Sequence, residues 1–274
     1  MRPADTLIFR GREEIAALDA ADRGLAYGDG LFETVRVHAG RPVWWEAHVA
    51  RLALGAGRLG IAAPAADWLR GQVDALLARS GGDGVLKLVL TRGAGGRGYR
   101  ASVGQPPTLV LSRHPLPAPV PTPLVLRWCS LRMALQPALA GLKHLNRLEQ
   151  VLARAEWRDE GIHEGLLLDA AGRVACATSA NVFARVDGRW LTPRMDDCGV
   201  AGVARAWLLA NVPGAAQATL RPADVNGADA LFLCNAVRGI LPVGRLGDRT
   251  WAPHPALAEL QRQLGRAEPA FQGS

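Results

Sequence analysis

Residues 112–123 read SRHPLPAPVPTP, with proline at every second position from 115 to 123. Proline has no N–H to donate and its ring clashes with a preceding helical turn, so this stretch can continue neither a helix nor a central strand. It predicts a linker over 115–123 and divides the 274 residues into a smaller N-terminal part, 1–114, and a larger C-terminal part, 124–274. Each is long enough to bury its own core. Alternating or short apolar runs bounded by turn residues predict strands over 7–9, 33–37, 85–91, 108–112 and 124–129. The same pattern recurs beyond the linker at 165–169, 173–174, 182–186, 190–191 and 230–233. A 3.6-residue apolar period predicts helices over 45–59, 65–80, 145–160, 203–210 and 255–264. Two α+β halves follow.

Composition narrows the class. Apolar residues make up 49% of the chain and charged residues 21%, the balance of a globular protein with ordinary cores. The formal charge of +7 favours negatively charged partners, but the 32 Lys and Arg are spread out, without a basic run. That is a poor footprint for nucleic acid and suits small acidic ligands. The charged N-terminal segment lacks the apolar centre of a secretory signal, and no run approaches a membrane span, so a cytoplasmic protein is expected. Cys129, Cys176, Cys198 and Cys234 are too scattered for a zinc site or a disulfide scaffold. The six histidines lack metal-ligand spacing, and no Gly-x-Ser-x-Gly elbow is present.

Four stretches carry possible chemistry. VLKLVLTRGAGGRGYR contains Gly93-x-Gly95-x-x-Gly98 after a strand, but YRASVGQPP follows where a dinucleotide site needs a helix. The stretch reads instead as a glycine loop presenting Arg92, Arg97 and Tyr99, with guanidinium forks suited to carboxylates; a solvated hairpin tip fits it too. In DRGLAYGDGLFETVRV, Gly28 and Gly30 allow a sharp turn that brings Tyr27 and Asp29 inward. EAHVARL places His48 and Arg51 on one helix face, where Arg51 is either an anion ligand or a surface arginine. In GLKHLNRLEQVLARAEW, Lys143 stands at the start of the helix expected over 145–160, beside an apolar face of Leu142, Leu145, Leu148, Val151 and Leu152. Desolvation there would make its amine a nucleophile, whereas a snorkelling surface lysine needs no function.

Taken in order, these stretches with SANVF, LTPRMDDCGVAGVAR and LFLCNAVRGILPV resemble the motif series of the fold-type IV pyridoxal-phosphate enzymes over residues 5 to 244. GLKHLNRLEQVL and RGAGGRGY resemble the lyase branch more than the branched-chain or D-amino-acid aminotransferases. The resemblance implies a two-domain α+β fold of the D-amino-acid aminotransferase type, with pyridoxal 5'-phosphate in the interdomain cleft, usually within a homodimer. It implies that Lys143 holds the cofactor covalently and moves protons, and that Arg51 binds the cofactor phosphate with help from Val203, Ala204, Asn235 and Ala236. Tyr27, Arg97 and Tyr99 would face a small dicarboxylate substrate, 4-amino-4-deoxychorismate, from which pyruvate is removed to leave the folate precursor 4-aminobenzoate. An aminotransferase of the same fold, or a non-catalytic ligand-binding protein that keeps it, are the alternative expectations. One position departs from the family pattern: Cys176 stands where most members carry the glutamate that faces the cofactor's ring nitrogen.

Overall fold

The computed structural model describes residues 5–273. The chain divides into two compact units, one comprising the residues up to Pro117 together with Leu142–Asn146, the other Ala118–Gly141 and Arg147 onward.

In the first unit the elements run β1 (Thr6–Arg10), β2 (Glu13–Glu14), α1 (Arg23–Tyr27), β3 (Gly30–His38), β4 (Arg41–Pro42), α2 (Trp45–Leu59), α3 (Ala66–Ser80), β5 (Gly84–Thr91) and β6 (Thr108–His114). The strands form an antiparallel sheet in the order β2-β1-β6-β5-β3-β4. Its pleat sends Leu86, Leu88 and Leu90 of β5, Leu109 and Leu111 of β6, and Leu7 and Phe9 of β1 to one side. There they meet Leu52 and Ala56 of α2 and Leu69, Val73 and Leu76 of α3, spaced at helical intervals. Each fully buried leucine contributes about 1.5–3 kcal/mol of transfer free energy, which fixes this register. A one-residue slip would turn Lys87 inward.

The second unit contains β7 (Leu124–Met133), α4 (Leu148–Arg154), β8 (Glu164–Asp169), β9 (Val174–Ala177), β10 (Asn181–Val186), β11 (Arg189–Pro193), α5 (Val203–Asn211), β12 (Ala216–Ala218), α6 (Pro222–Gly227), β13 (Ala230–Asn235), β14 (Gly239–Leu246), β15 (Arg249–Thr250) and α7 (Pro255–Ala267). These strands form a mixed sheet in the order β12-β11-β10-β13-β14-β7-β8-β9, with β15 pairing β14. Both faces of β8 are buried: Leu166 and Leu168 pack with Leu231 and Leu233, while Leu167 packs with Cys129, Met133, Trp157 and Cys176. Among the described residues no helix is long and apolar enough to cross a membrane.

The helix expected over 145–160 is shorter, Leu148–Arg154, and Lys143 is not at its start. Residues 141–147 are irregular and not helical: Phe32 N–H donates to the Lys143 carbonyl (2.9 Å), Leu145 N–H donates to the Gly30 carbonyl (2.9 Å), and His144 bridges Leu31. Pairing with β3 satisfies backbone groups that a helix would have satisfied internally, so tertiary contact overrides the helical period. The apolar face expected beside the lysine is not buried either. Leu142 is 3% exposed, but Leu148, Val151 and Leu152 are 74%, 59% and 59% exposed.

Candidate active site

In the first unit the candidate residues gather around the β3–lysine pairing. The lysine segment lies against the turn that precedes β3: Asn146 Nδ2 donates to the Gly28 carbonyl (3.1 Å), and a Cβ on Gly28 would stand 2.4 Å from Asn146 Oδ1. Gly28 also has φ of +65°, so glycine there serves both the turn and the close approach. The Lys143 amine lies 4.1 Å from the centroid of the Phe32 ring, one residue before Glu33. Phe32, and not the outer face of α4, is the apolar surface beside this amine.

Glu33 is 1% exposed and joins the two residues that α2 places on one face. Arg51 Nε donates to Glu33 Oε1 (2.8 Å) and Nη2 to Oε2, while His48 Nδ1 bonds Oε2 (2.6 Å). The buried anion that the sequence suggests for Arg51 is therefore met, in the first instance, by a carboxylate of the chain itself. Burial alone would raise the Glu33 carboxyl, but hydrogen bonds from His48 and Arg51 and the Arg51 charge outweigh it and hold it below its ordinary 4.5. For His48 burial dominates and, with the Arg51 and Lys143 charges, pushes the imidazole below its ordinary 6.5 against the pull of Glu33. Its Nε2 is buried and has no partner among the described residues, leaving one acceptor for a ligand or an ordered water.

A stability prediction follows from these two directions. The unfolded chain takes up a proton at His48 near 6.5 and at Glu33 near 4.5, whereas the folded groups resist protonation until lower pH. Stability is thus fully present above 6.5 and is lost as pH falls through that value, with a second loss below 4.5. Each proton so withheld adds a slope of up to about 1.4 kcal/mol per pH unit. Urea unfolding from about pH 8 down to about pH 5 should show the upper limb in the native sequence, and His48→Gln should remove it. An unchanged slope would mean that His48 titrates alike in both states.

Asp29 turns inward as expected, with Arg23 and Arg92 as its partners, but Tyr27, expected inward with it, is exposed. Arg92 is not displayed by the glycine loop: its guanidinium is spent on Asp29 and on the Leu59 and Gly60 carbonyls at the end of α2. Arg97 and Tyr99 are exposed on the loop, and the Tyr99 ring lies 5.5 Å from that of Tyr27.

The second unit supplies an anion cradle. Gly202 is the N-cap of α5 and offers no side-chain acceptor, so the first amides of the helix keep their donor capacity. A Cβ on Gly202 would stand 2.1 Å from Asn181 Oδ1, so a larger residue at that cap would have to displace the Asn181 side chain. Val203 and Ala204 are buried at the first turn, and the neighbouring Arg205 turns to the Pro193 carbonyl (2.7 Å) and Gln217 (2.9 Å). Asn235 Oδ1 accepts from the Val237 and Arg238 amides (3.0 and 2.8 Å), shaping the turn that carries Ala236.

Cys176 lies 3.5 Å from Met133 Sδ within the apolar cluster that also holds Cys129 and Trp157. Burial, reinforced by Cys198, pushes its thiol up to about 12, so it is a neutral group. A carboxylate does stand nearby in sequence: Glu164, buried, accepts from Thr178, Ser179 and the Gly165 amide. Phe32, Glu33, Asn181 and Glu164 are the residues that sequence reasoning did not single out. Phe32, Glu33 and Asn181 lie inside quoted motifs, yet only the fold reveals what they touch.

The family model for class IV amino-transferases matches residues 30–246, and the chain belongs to that family. An aminodeoxychorismate lyase of Vibrio harveyi is 34% identical over 237 residues, covering 81% of this chain and 84% of the relative. The crystal structure of 4-amino-4-deoxychorismate lyase from Pseudomonas aeruginosa superposes with a TM-score of 0.89 at 43% identity, covering 96% of this chain and 99% of that one. A D-alanine aminotransferase of Bacillus licheniformis is 26% identical over 282 residues, covering 94% and 95% of the two chains.

Proposed function

We propose that this protein is an aminodeoxychorismate lyase, releasing 4-aminobenzoate and pyruvate from 4-amino-4-deoxychorismate with pyridoxal 5'-phosphate as cofactor. The observation that carries the reading is Lys143, whose backbone is locked onto β3 and whose amine is held against Phe32. The similarity to lyases at 34% and 43% identity, above that to the aminotransferase at 26%, favours the lyase over amino transfer.

The residues fit the cofactor. A phosphate matches the uncapped start of α5 at Val203 and Ala204, and the family resemblance would add the charge of Arg51, which Glu33 orients. Asn235 and Ala236 would close the phosphate side, and Cys176 would face the ring nitrogen. When bound, the cofactor would supply an electron sink for the substrate carbon that loses a proton. Lys143 accepts the proton at the amine-bearing carbon and returns one to the product side. Arg97, with Tyr27 and Tyr99, would hold the substrate carboxylates. We further propose a cytoplasmic homodimer acting in folate biosynthesis, with domains at 1–114 and 124–274 apart from the segment Leu142–Asn146, which groups with the first. The exposed Leu148, Val151 and Leu152 of α4 support a covered face. Reduction with borohydride in the presence of cofactor, followed by peptide mapping, tests the attachment: label belongs on the peptide containing Lys143, and label on another lysine would reject the assignment.

Class IV amino transfer is the second reading, favoured by the similarity to the D-alanine aminotransferase. Cys176 argues against it. A neutral thiol is a poor partner for a protonated ring nitrogen, and reactions that store charge on the cofactor suffer most. Cys176→Glu is expected to raise amino transfer from D-alanine while changing pyruvate release by less than about tenfold. Unchanged amino transfer in a variant that still binds cofactor would show that Cys176 does not face the ring nitrogen.

A further inference from the structure

Arg23 is a buried arginine that the reaction itself does not use. It is 4% exposed, and every arm of its guanidinium is committed. Nε donates to Asp29 Oδ2 (2.9 Å), Nη1 to the Gly98 carbonyl (2.9 Å) and Nη2 to the Tyr99 carbonyl (2.9 Å). Its carbon centre lies 4.9 Å from the Tyr27 ring centroid, and Tyr27 in turn packs on Tyr99. Burying a charge is costly unless it is paired and fully hydrogen-bonded. Here that cost is met to fix two successive carbonyls of a turn whose side chains are in solvent, with Tyr99 88% exposed.

The base of the same loop is held separately. Arg23 N–H donates to the Gly93 carbonyl, Gly95 N–H to the Ala21 carbonyl, and Thr91 Oγ1 links Asp22 to the Gly93 amide. The stretch from Gly96 to Gly104 is otherwise rich in glycine and exposed except at Ala101. A glycine-rich turn left to itself samples many conformations, and ordering it on a ligand costs affinity. The two bonds from Arg23 meet that cost in advance, at Gly98 between Arg97 and Tyr99 and at Tyr99 itself.

We propose that Arg23 is the positioning residue of the substrate loop: it presets Arg97 and Tyr99 for a substrate carboxylate, an inference whose ligand rests on the lyase reading above. Only a planar fork can serve two adjacent carbonyls and a carboxylate together, so lysine is not an equivalent. Arg23→Lys keeps the charge beside Asp29 and loses the paired carbonyl bonds. It should raise KM for 4-amino-4-deoxychorismate about tenfold or more, leave kcat within about threefold, and leave cofactor absorbance unchanged. Trypsin should cut after Arg97 faster than in the native chain. Gly98→Ala reaches the same loop without touching Arg23: Gly98 has φ of +86° with open space around a Cβ, so alanine strains only the backbone. It should reproduce the KM effect. A native protein that releases no pyruvate would sink the lyase reading, while the trypsin rate would still report on the anchor. Equal trypsin rates in the native and Arg23→Lys proteins, or a fall in kcat with KM unchanged, would overturn the positioning role.

Discussion

Lys143→Ala is expected to abolish turnover while leaving the fold intact. The same amine is assigned both the covalent hold on the cofactor and the proton transfer, and the latter alone is worth roughly 10²–10⁴-fold. The fold should survive, because the bonds that seat this segment on β3 run through the backbone of Lys143 and Leu145, which alanine keeps. Leu142 remains in the core of the first unit. Pyruvate release from 4-amino-4-deoxychorismate, read beside a thermal unfolding curve, checks both halves. A variant that unfolds like the native protein yet retains more than about one hundredth of the activity would show that another group moves the proton.

Arg51→Ala should have the second largest effect, through two separable causes. It removes a cation proposed for the cofactor phosphate, and it strands Glu33, which is 1% exposed and loses both of its Arg51 bonds. Breaking a buried pair from one side costs about 3–5 kcal/mol, because the remaining charge stays desolvated. Melting temperature and cofactor affinity should therefore fall together. The double variant Glu33→Gln with Arg51→Ala separates them: stability should largely return, since no buried charge is left alone, while cofactor affinity should stay low. If cofactor affinity returns with stability, Arg51 serves Glu33 and not the phosphate.

Legibility in the sequence followed the range of the interactions. The helix expected over 45–59 is α2, Trp45–Leu59, because its apolar period, the αL glycine at its end and its packing face agree. The strand expected over 85–91 is β5, since Leu86, Leu88 and Leu90 alternate with Val85, Lys87 and Val89. β14 was not anticipated: Pro242 and Gly244 interrupt its pattern, although it pairs with both β13 and β7. Residues 145–147 read as helix because Leu142, Leu145, Leu148 and Leu152 keep a helical period. The pairing of 143–145 with β3, more than a hundred positions earlier, carries no local signal. The site shows the same division. His48 and Arg51 were recognisable as a pair on one face, but Glu33, which joins them, lies on another element. Arg23 looks like part of a turn, and Arg92 like a loop arginine, until their carbonyl and carboxylate partners are seen. The motif order that marks the family survives all of this, because each motif is a short segment whose chemistry is local.

The most direct test of the central claim is the product balance of the purified protein supplied with pyridoxal 5'-phosphate and 4-amino-4-deoxychorismate, with no amino donor or keto acid added. Pyruvate and 4-aminobenzoate appearing in equal amounts over many turnovers is the predicted result. No pyruvate from this substrate, together with steady amino transfer from D-alanine to a keto acid, would contradict it and make the chain an aminotransferase.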